Sequence, residues 1–221
     1  MNDHSHTADL HVAHHFDDAE QQFEAARLGM WLFLVTEVMF FGGMFAGYLI
    51  YRSYFPAAFA EGSGHLDLLL GTINTAVLLC SSLSMALAVH AAQTGDRQKI
   101  VTFLSLTILL GAIFLGIKAF EYSHKFHDHL VPGSHFEFVS ADDPNVSPAN
   151  VQLFYCFYFG MTGLHALHMV IGIAILGVLV YQAKKGVFSP AYFTPVEMTG
   201  LYWHFVDIVW VFLFPLLYLI G

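Results

Sequence analysis

Residues 202–220 read YWHFVDIVWVFLFPLLYLI. At 1.5 Å of rise per residue this run is about 28 Å long, close to the hydrocarbon thickness of a bilayer. His204 and Asp207 sit inside it, one helical turn apart. An ionisable side chain in hydrocarbon costs on the order of 3 kcal/mol on insertion scales, so such groups point to a use or a partner. Two other apolar runs carry the same signature. MWLFLVTEVMFFGGMF contains Glu37, and YFGMTGLHALHMVIG contains His165 and His168.

Composition agrees with a membrane protein. Of 221 residues, 57% are hydrophobic and only 11% charged, and the mean hydropathy is +0.60. A soluble domain carries roughly 25% charged residues. Apolar stretches long enough to span lie near 28–52, 66–92, 99–123, 152–183 and 197–220, so the expected fold is all-α, a bundle of five transmembrane helices. The fourth is long and is expected to tilt or project beyond the bilayer. Residues 1–27 read as a polar, His-rich cytoplasmic tail and 28–221 as one membrane domain. The tail contains His4, His6, His11, His14 and His15 and reads as a solvated segment, with metal binding as the alternative. No apolar signal-peptide core is legible in it. The run DDAEQQFEAARLG reads as a surface helix leading into the first span.

The formal charge is −9, and nothing is basic enough to suggest nucleic acid. Cys80 and Cys156 lack the Cys-x-x-Cys spacing and read as small core residues, neither a disulfide nor a metal pair. With the N-terminus inside, Arg27, Arg97, Lys99, Lys184 and Lys185 lie on the inner side, against Arg52 and Lys125 outside. The positive-inside rule then favours N-in and C-out, with the 124–150 loop external.

Helix rise places the polar groups in depth. Glu37 lies about 13 Å from the inner end of its span, His204 and Asp207 roughly 10–15 Å from the same side, and His168 about 22 Å. A carboxyl at such depth either stays neutral or finds a partner on another helix. The shared depth nominates His204 as the partner of Glu37, with His168 next. The alternative for the histidines is interhelical polar glue. Lys118 and Glu121, three residues apart near the outer end of the third span, read as an ion pair. Glu121 and His124 form an isolated Glu-x-x-His that lacks the further glutamates of a di-metal bundle. A bis-histidine haem between His168 and His204 is a weaker alternative than structural histidines. Lys184 and Lys185 end the fourth helix, where they are either solvated or bound to an anionic headgroup.

Five motifs in order, LGMWLFLVTEVMFFGG (28–43), NTAVLLCSS (74–82), GIKAFEY (116–122), TGLHALHMVIG (162–172) and YWHFVDIVWVFLF (202–214), resemble subunit III of the haem-copper respiratory oxidases, the cytochrome c oxidase subunit 3 family. The resemblance covers about residues 27–220. It matches the short bacterial form, without the first two of the family's usual seven helices. It implies a helical bundle docked beside catalytic subunit I, with no haem or copper of its own and with both in partner subunits. It also implies structural phospholipid, stabilisation of the active site and support of proton uptake. Other oxidase subunits are implied as partners, a larger respiratory supercomplex is left open, and the location is the bacterial inner membrane. The family's polar positions fall on Glu37, His165, His168, His204 and Asp207. Its phosphate-binding basic residues fall near Lys184 and Lys185, and Glu197 joins the same set of lipid-binding or structural polar residues. Lys118 stands where mitochondrial members commonly have glutamine. The faces at 31–44 and 163–172 are expected to be buried in the bundle or against subunit I. The runner-up is an accessory subunit of a nitric oxide reductase, and a third reading is an independent transporter, which the lack of paired broken helices weakens.

Overall fold

A computed structural model describes residues 16–133, 136, 138 and 146–220. The histidines of the tail lie outside the described residues. Six helices follow one another: α1 (Ala19–Tyr54), α2 (Pro56–Gly64), α3 (Leu68–Thr94), α4 (Arg97–His127), α5 (Pro148–Lys185) and α6 (Thr194–Tyr218). All but α2 are long and apolar enough to cross a membrane. Among the described residues there is no strand beyond one isolated bridge between Ser189 and Tyr192.

The helix boundaries follow local chemistry. Asp18 caps α1 by accepting from the Gln21 backbone N–H at 2.7 Å, and Pro56 ends it, because the residue before a proline avoids the helical region. Proline then fits the first turn of α2, where its missing N–H is not needed. This short helix was not legible in the hydropathy. Only Gly95 and Asp96 separate α3 from α4. Gly95 takes the left-handed φ of 75° that closes α3, and Asp96 caps α4 through the Lys99 N–H at 3.1 Å.

Helices α3, α4, α5 and α6 close into an antiparallel four-helix ring, and α1 lies along the α5–α6 seam, with α2 against α5. α6 is the most buried span and α1 the least. Two tryptophans of α6 fill the ring. Trp203 Nε1 donates to Ser81 Oγ and Trp210 Nε1 to Thr75 Oγ1, both at 3.1 Å. The Trp203 ring fits because Gly111 and Gly172 face it. A Cβ at Gly172 would lie 2.8 Å from the indole and one at Gly111 3.0 Å. At the far end, the last carbonyls of α6 have no partner in their own helix. Tyr48 of α1 donates to Leu216 O and Ser63 of α2 to Leu217 O, each at 2.7 Å.

Two expectations change. Cys80 and Cys156 are free, as read, but both are exposed on the bundle surface and not in the core. A helix apolar all round does not reveal which face meets protein and which meets lipid. The first and fourth spans are also longer than the hydropathy suggested, with 36 and 38 residues in their helices. α1 passes Leu28 without a break. In this chain alone, Trp31 and Met39 of α1 face outward, whereas His165, Met169 and Gly172 of α5 face in.

Candidate functional site

The polar groups of the spans form three clusters. The first joins α1 to α5, where Glu37 Oε2 lies 3.3 Å from His168 Nε2. His168 Nδ1 is 2.9 Å from Leu164 O. A carbonyl only accepts, so Nδ1 carries a hydrogen. The Nε2–Oε2 contact is then attractive when one proton lies between the two atoms, on nitrogen or on oxygen. The His168 carbonyl accepts from Tyr202 OH at 2.9 Å, tying the same turn to α6.

His204 is therefore not the partner of Glu37. The shared level is real. Phe33, one turn before Glu37, meets Tyr202, and Phe41, one turn after, meets Phe205. But His204 is rotated about 200° from Tyr202 around α6, so it points away from α1. The depth of His168 was misjudged because helix ends were used as a common plane. α1 starts at Ala19 and α5 runs on to Lys185. The direct contact of Glu37 with His168 shows that the two are level, although both helices run on past the apolar stretch at this end.

The second cluster lies between α3 and α6. His204 Nδ1 is 2.8 Å from Ser82 Oγ. Asp207, one turn on, is 3% exposed, and its carboxyl lies beside the Ser82 hydroxyl, the polar group that faces it across the α3–α6 contact. His165 faces neither cluster. It is packed edge-on to Phe114 and against Trp210, and both ring nitrogens lack a partner among the described residues.

The third cluster is a closed ring around Lys118. Its Nζ donates to Glu121 Oε2 at 3.0 Å, Tyr158 OH at 3.2 Å and Tyr218 OH at 2.8 Å. Both tyrosine hydroxyls donate onward to Glu121 Oε1, at 2.8 and 2.6 Å. Every proton of the ammonium and of the two hydroxyls thus has an acceptor, which fits an ionised lysine and an ionised glutamate. Four aromatic rings, of Tyr122, Tyr158, Trp210 and Tyr218, surround the ammonium at 5.0–5.5 Å. Spacing within α4 exposed the Lys118–Glu121 pair. Tyr158 and Tyr218 come from 37 and 97 residues beyond Glu121 in sequence, and no spacing rule marks them. One turn on, Lys125 Nζ donates to His65 O at 2.6 Å, joining α4 to the α2–α3 turn.

At the opposite end of the bundle, Lys184 lines a shallow depression with Arg97, Gln98, Val101 and Thr102. The Arg97 guanidinium lies close to Gly186, which caps α5, where the helix dipole favours a cation. Lys185 stacks over Tyr181 at 4.3 Å. Glu197 is in the first turn of α6, its Oε2 buried and without a partner among the described residues. Among the described residues no three His, Cys, Asp or Glu side chains gather as a metal site. His168 and His204 face Glu37 and Ser82, not one another.

The family model for cytochrome c oxidase subunit III matches residues 3–221. The cytochrome c oxidase subunit 3 of Synechocystis sp. is 36% identical over 193 residues, covering 87% of this chain and 74% of that protein. The cytochrome c oxidase subunit 3 of Thermostichus vulcanus is 36% identical over 205 residues, covering 92% of each. The cytochrome bo(3) ubiquinol oxidase subunit 3 of Pseudomonas aeruginosa is 30% identical over 217 residues, covering 98% of this chain and 95% of that protein. With the match running through all five spanning helices and all three polar clusters, the chain belongs to the cytochrome c oxidase subunit III family.

Proposed function

We propose that this chain is the non-redox subunit III of a proton-pumping haem-copper terminal oxidase in aerobic respiration. The observation that carries the reading is the family match over residues 3–221 of a five-span bundle. Its relatives are named as subunits 3 of cytochrome c oxidases and of quinol oxidases, so a terminal oxidase is favoured over the nitric oxide reductase alternative. Both donor types occur among these names. Haem and copper are carried by partner subunits in this reading, which membership of the subunit III family supports.

The role of the chain is mechanical and electrostatic. It seats beside catalytic subunit I, stabilises that subunit during turnover and supports its proton uptake. The two interhelical polar locks, Glu37–His168 and the Lys118 ring, suit a rigid scaffold. Phospholipid fits the depression where Arg97 and Lys184 offer two cations from different helices to one phosphate. The N-terminus is cytoplasmic and the C-terminus external, on the Lys and Arg distribution.

Purification tests the reading. The tagged chain should bring down a haem-bearing subunit, and the complex should consume O2. Consumption of NO without O2 reduction, or a stable solitary chain with transport activity, would replace it.

A further inference from the structure

We propose that a cavity between the α2–α3 turn and the end of α4 binds the headgroup of a zwitterionic phospholipid with a primary amine, of the phosphatidylethanolamine kind. The cavity lies at the opposite end of the bundle from the Arg97–Lys184 depression. The inference rests on the membrane-subunit reading above and adds a second site with a different headgroup chemistry.

The cavity has a volume of about 300 Å³. His65, Asp67, His124, Lys125 and Asp128 give it polar walls, and Leu66, Leu70 and Phe120 an apolar one. Lys125 is only 7% exposed. One of its three N–H bonds goes to His65 O at 2.6 Å, and the other two have no hydrogen-bond acceptor among the described residues. Asp67 spends one oxygen on the Leu70 N–H. The Asp128 side chain accepts no hydrogen bond among the described residues. Glu121 also borders the cavity, but Lys118, Tyr158 and Tyr218 already saturate it. The charges left to satisfy are those of two carboxylates, Asp67 and Asp128, and one buried ammonium, Lys125.

Charge selects the occupant. An anionic headgroup would meet two carboxylates, and a simple cation would leave the Lys125 N–H groups unanswered in a buried place. A zwitterion answers both. Its phosphate accepts from Lys125, and its ammonium donates to Asp67 and Asp128. A choline group has no N–H to give, so a primary amine fits better. Depth selects a lipid over a soluble zwitterion. Lys125 sits in the last turn of a spanning helix, at the level of the headgroups. Phe120 in the wall and Ile73, one turn below Leu70, are 56% and 42% exposed. They lead from the cavity toward the hydrocarbon, where an acyl chain can lie. The Arg97–Lys184 depression provides the contrast. Both of its charges are cations, which suits an anionic headgroup.

The test is native mass spectrometry of the full chain, with the subunits it brings down, from nanodiscs of phosphatidylethanolamine, phosphatidylcholine and phosphatidylglycerol in equal parts. The wild-type chain should leave the complex with phosphatidylethanolamine bound in preference to phosphatidylcholine. Asp128→Lys makes the cavity cationic. Asp128 is exposed, so the fold should persist, while retained phosphatidylethanolamine falls about tenfold and phosphatidylglycerol rises. An Arg97→Gln, Lys184→Gln variant should lose phosphatidylglycerol and keep phosphatidylethanolamine. Equal retention of the ethanolamine and choline lipids by the wild type overturns the proposal, as does unchanged phosphatidylethanolamine in Asp128→Lys. If the lipids behave as expected but the chain brings down no haem-bearing subunit, the oxidase reading has failed and this site stands.

Discussion

Glu37 Oε2 and His168 Nε2 meet at 3.3 Å across the α1–α5 contact, with the other nitrogen of His168 committed to Leu164 O. α1 is the least buried span, and this contact joins it to α5 while Tyr48, Phe33 and Phe41 join it to α6. Glu37→Gln keeps an N–H that can donate to Nε2, so assembly and most oxidase activity should survive. His168→Ala leaves a part-buried carboxyl without its partner and should cost about 1–3 kcal/mol. Denaturation of the purified complex for both single variants and the double variant should give a coupling energy of about 1–3 kcal/mol. Additive losses would mean that the pair does not interact. Loss of proton pumping in Glu37→Gln with normal assembly would instead make Glu37 an obligatory proton carrier.

The Lys118 ring yields a second prediction. Glu121→Gln leaves a buried ammonium uncompensated and should destabilise by about 3–5 kcal/mol. Tyr218→Phe removes one acceptor and one donor and should cost less, about 1–3 kcal/mol. A joint Lys118→Met, Glu121→Leu change removes both charges and should recover most of the loss. Thermal unfolding of the three variants checks the order.

Packing around Trp203 is tight enough to predict the effect of one methyl group. Gly172→Ala would bring a Cβ to 2.8 Å from the indole. Overpacking of this kind costs about 1–3 kcal/mol. Gly177 has nothing within 4 Å of its Cβ position, so Gly177→Ala should be neutral or mildly stabilising through helix propensity. Equal melting shifts for the two would contradict the packing described.

Between α3 and α4, the Asp96 carboxyl is held below its ordinary value of 3.8, first by the Lys99 ammonium and then by the Lys99 backbone N–H. A carboxyl lowered in the folded state stabilises above its unfolded pKa, and that contribution is lost as the pH falls through the folded value. Asp96→Asn should therefore flatten the acid limb of the stability profile and leave the profile at alkaline pH parallel to wild type. Titrations of unfolding against pH for the two proteins provide the check.

Orientation is testable at two described turns. Reporter fusions at Gly95 and Asp128 should report opposite sides, with Asp128 external and Gly95 cytoplasmic. The reverse assignment would refute the proposed topology.

The five spans and the depth of Glu37 relative to His204 were legible because both depend on local quantities: the length of an apolar run and the rise of a helix. The Lys118–Glu121 pair was legible for the same reason, its members being three apart on one face. The partner of Glu37 was not, because a partner is chosen by rotation about a helix and by how far each helix overruns the membrane. Hydropathy reports neither when α1 and α5 run to 36 and 38 residues. Cys80, read as core and found on the surface, fails in the same way, since lipid and protein interior accept the same residues. Tyr158 and Tyr218 around Lys118, Ser82 beside His204 and the two glycines under Trp203 come together only when the ring closes. Sequence alone determined which groups are buried in a membrane. The packing of α1 and α3–α6 decided which of them satisfy one another, because hydrogen bonds need distances and directions that only the assembled helices supply.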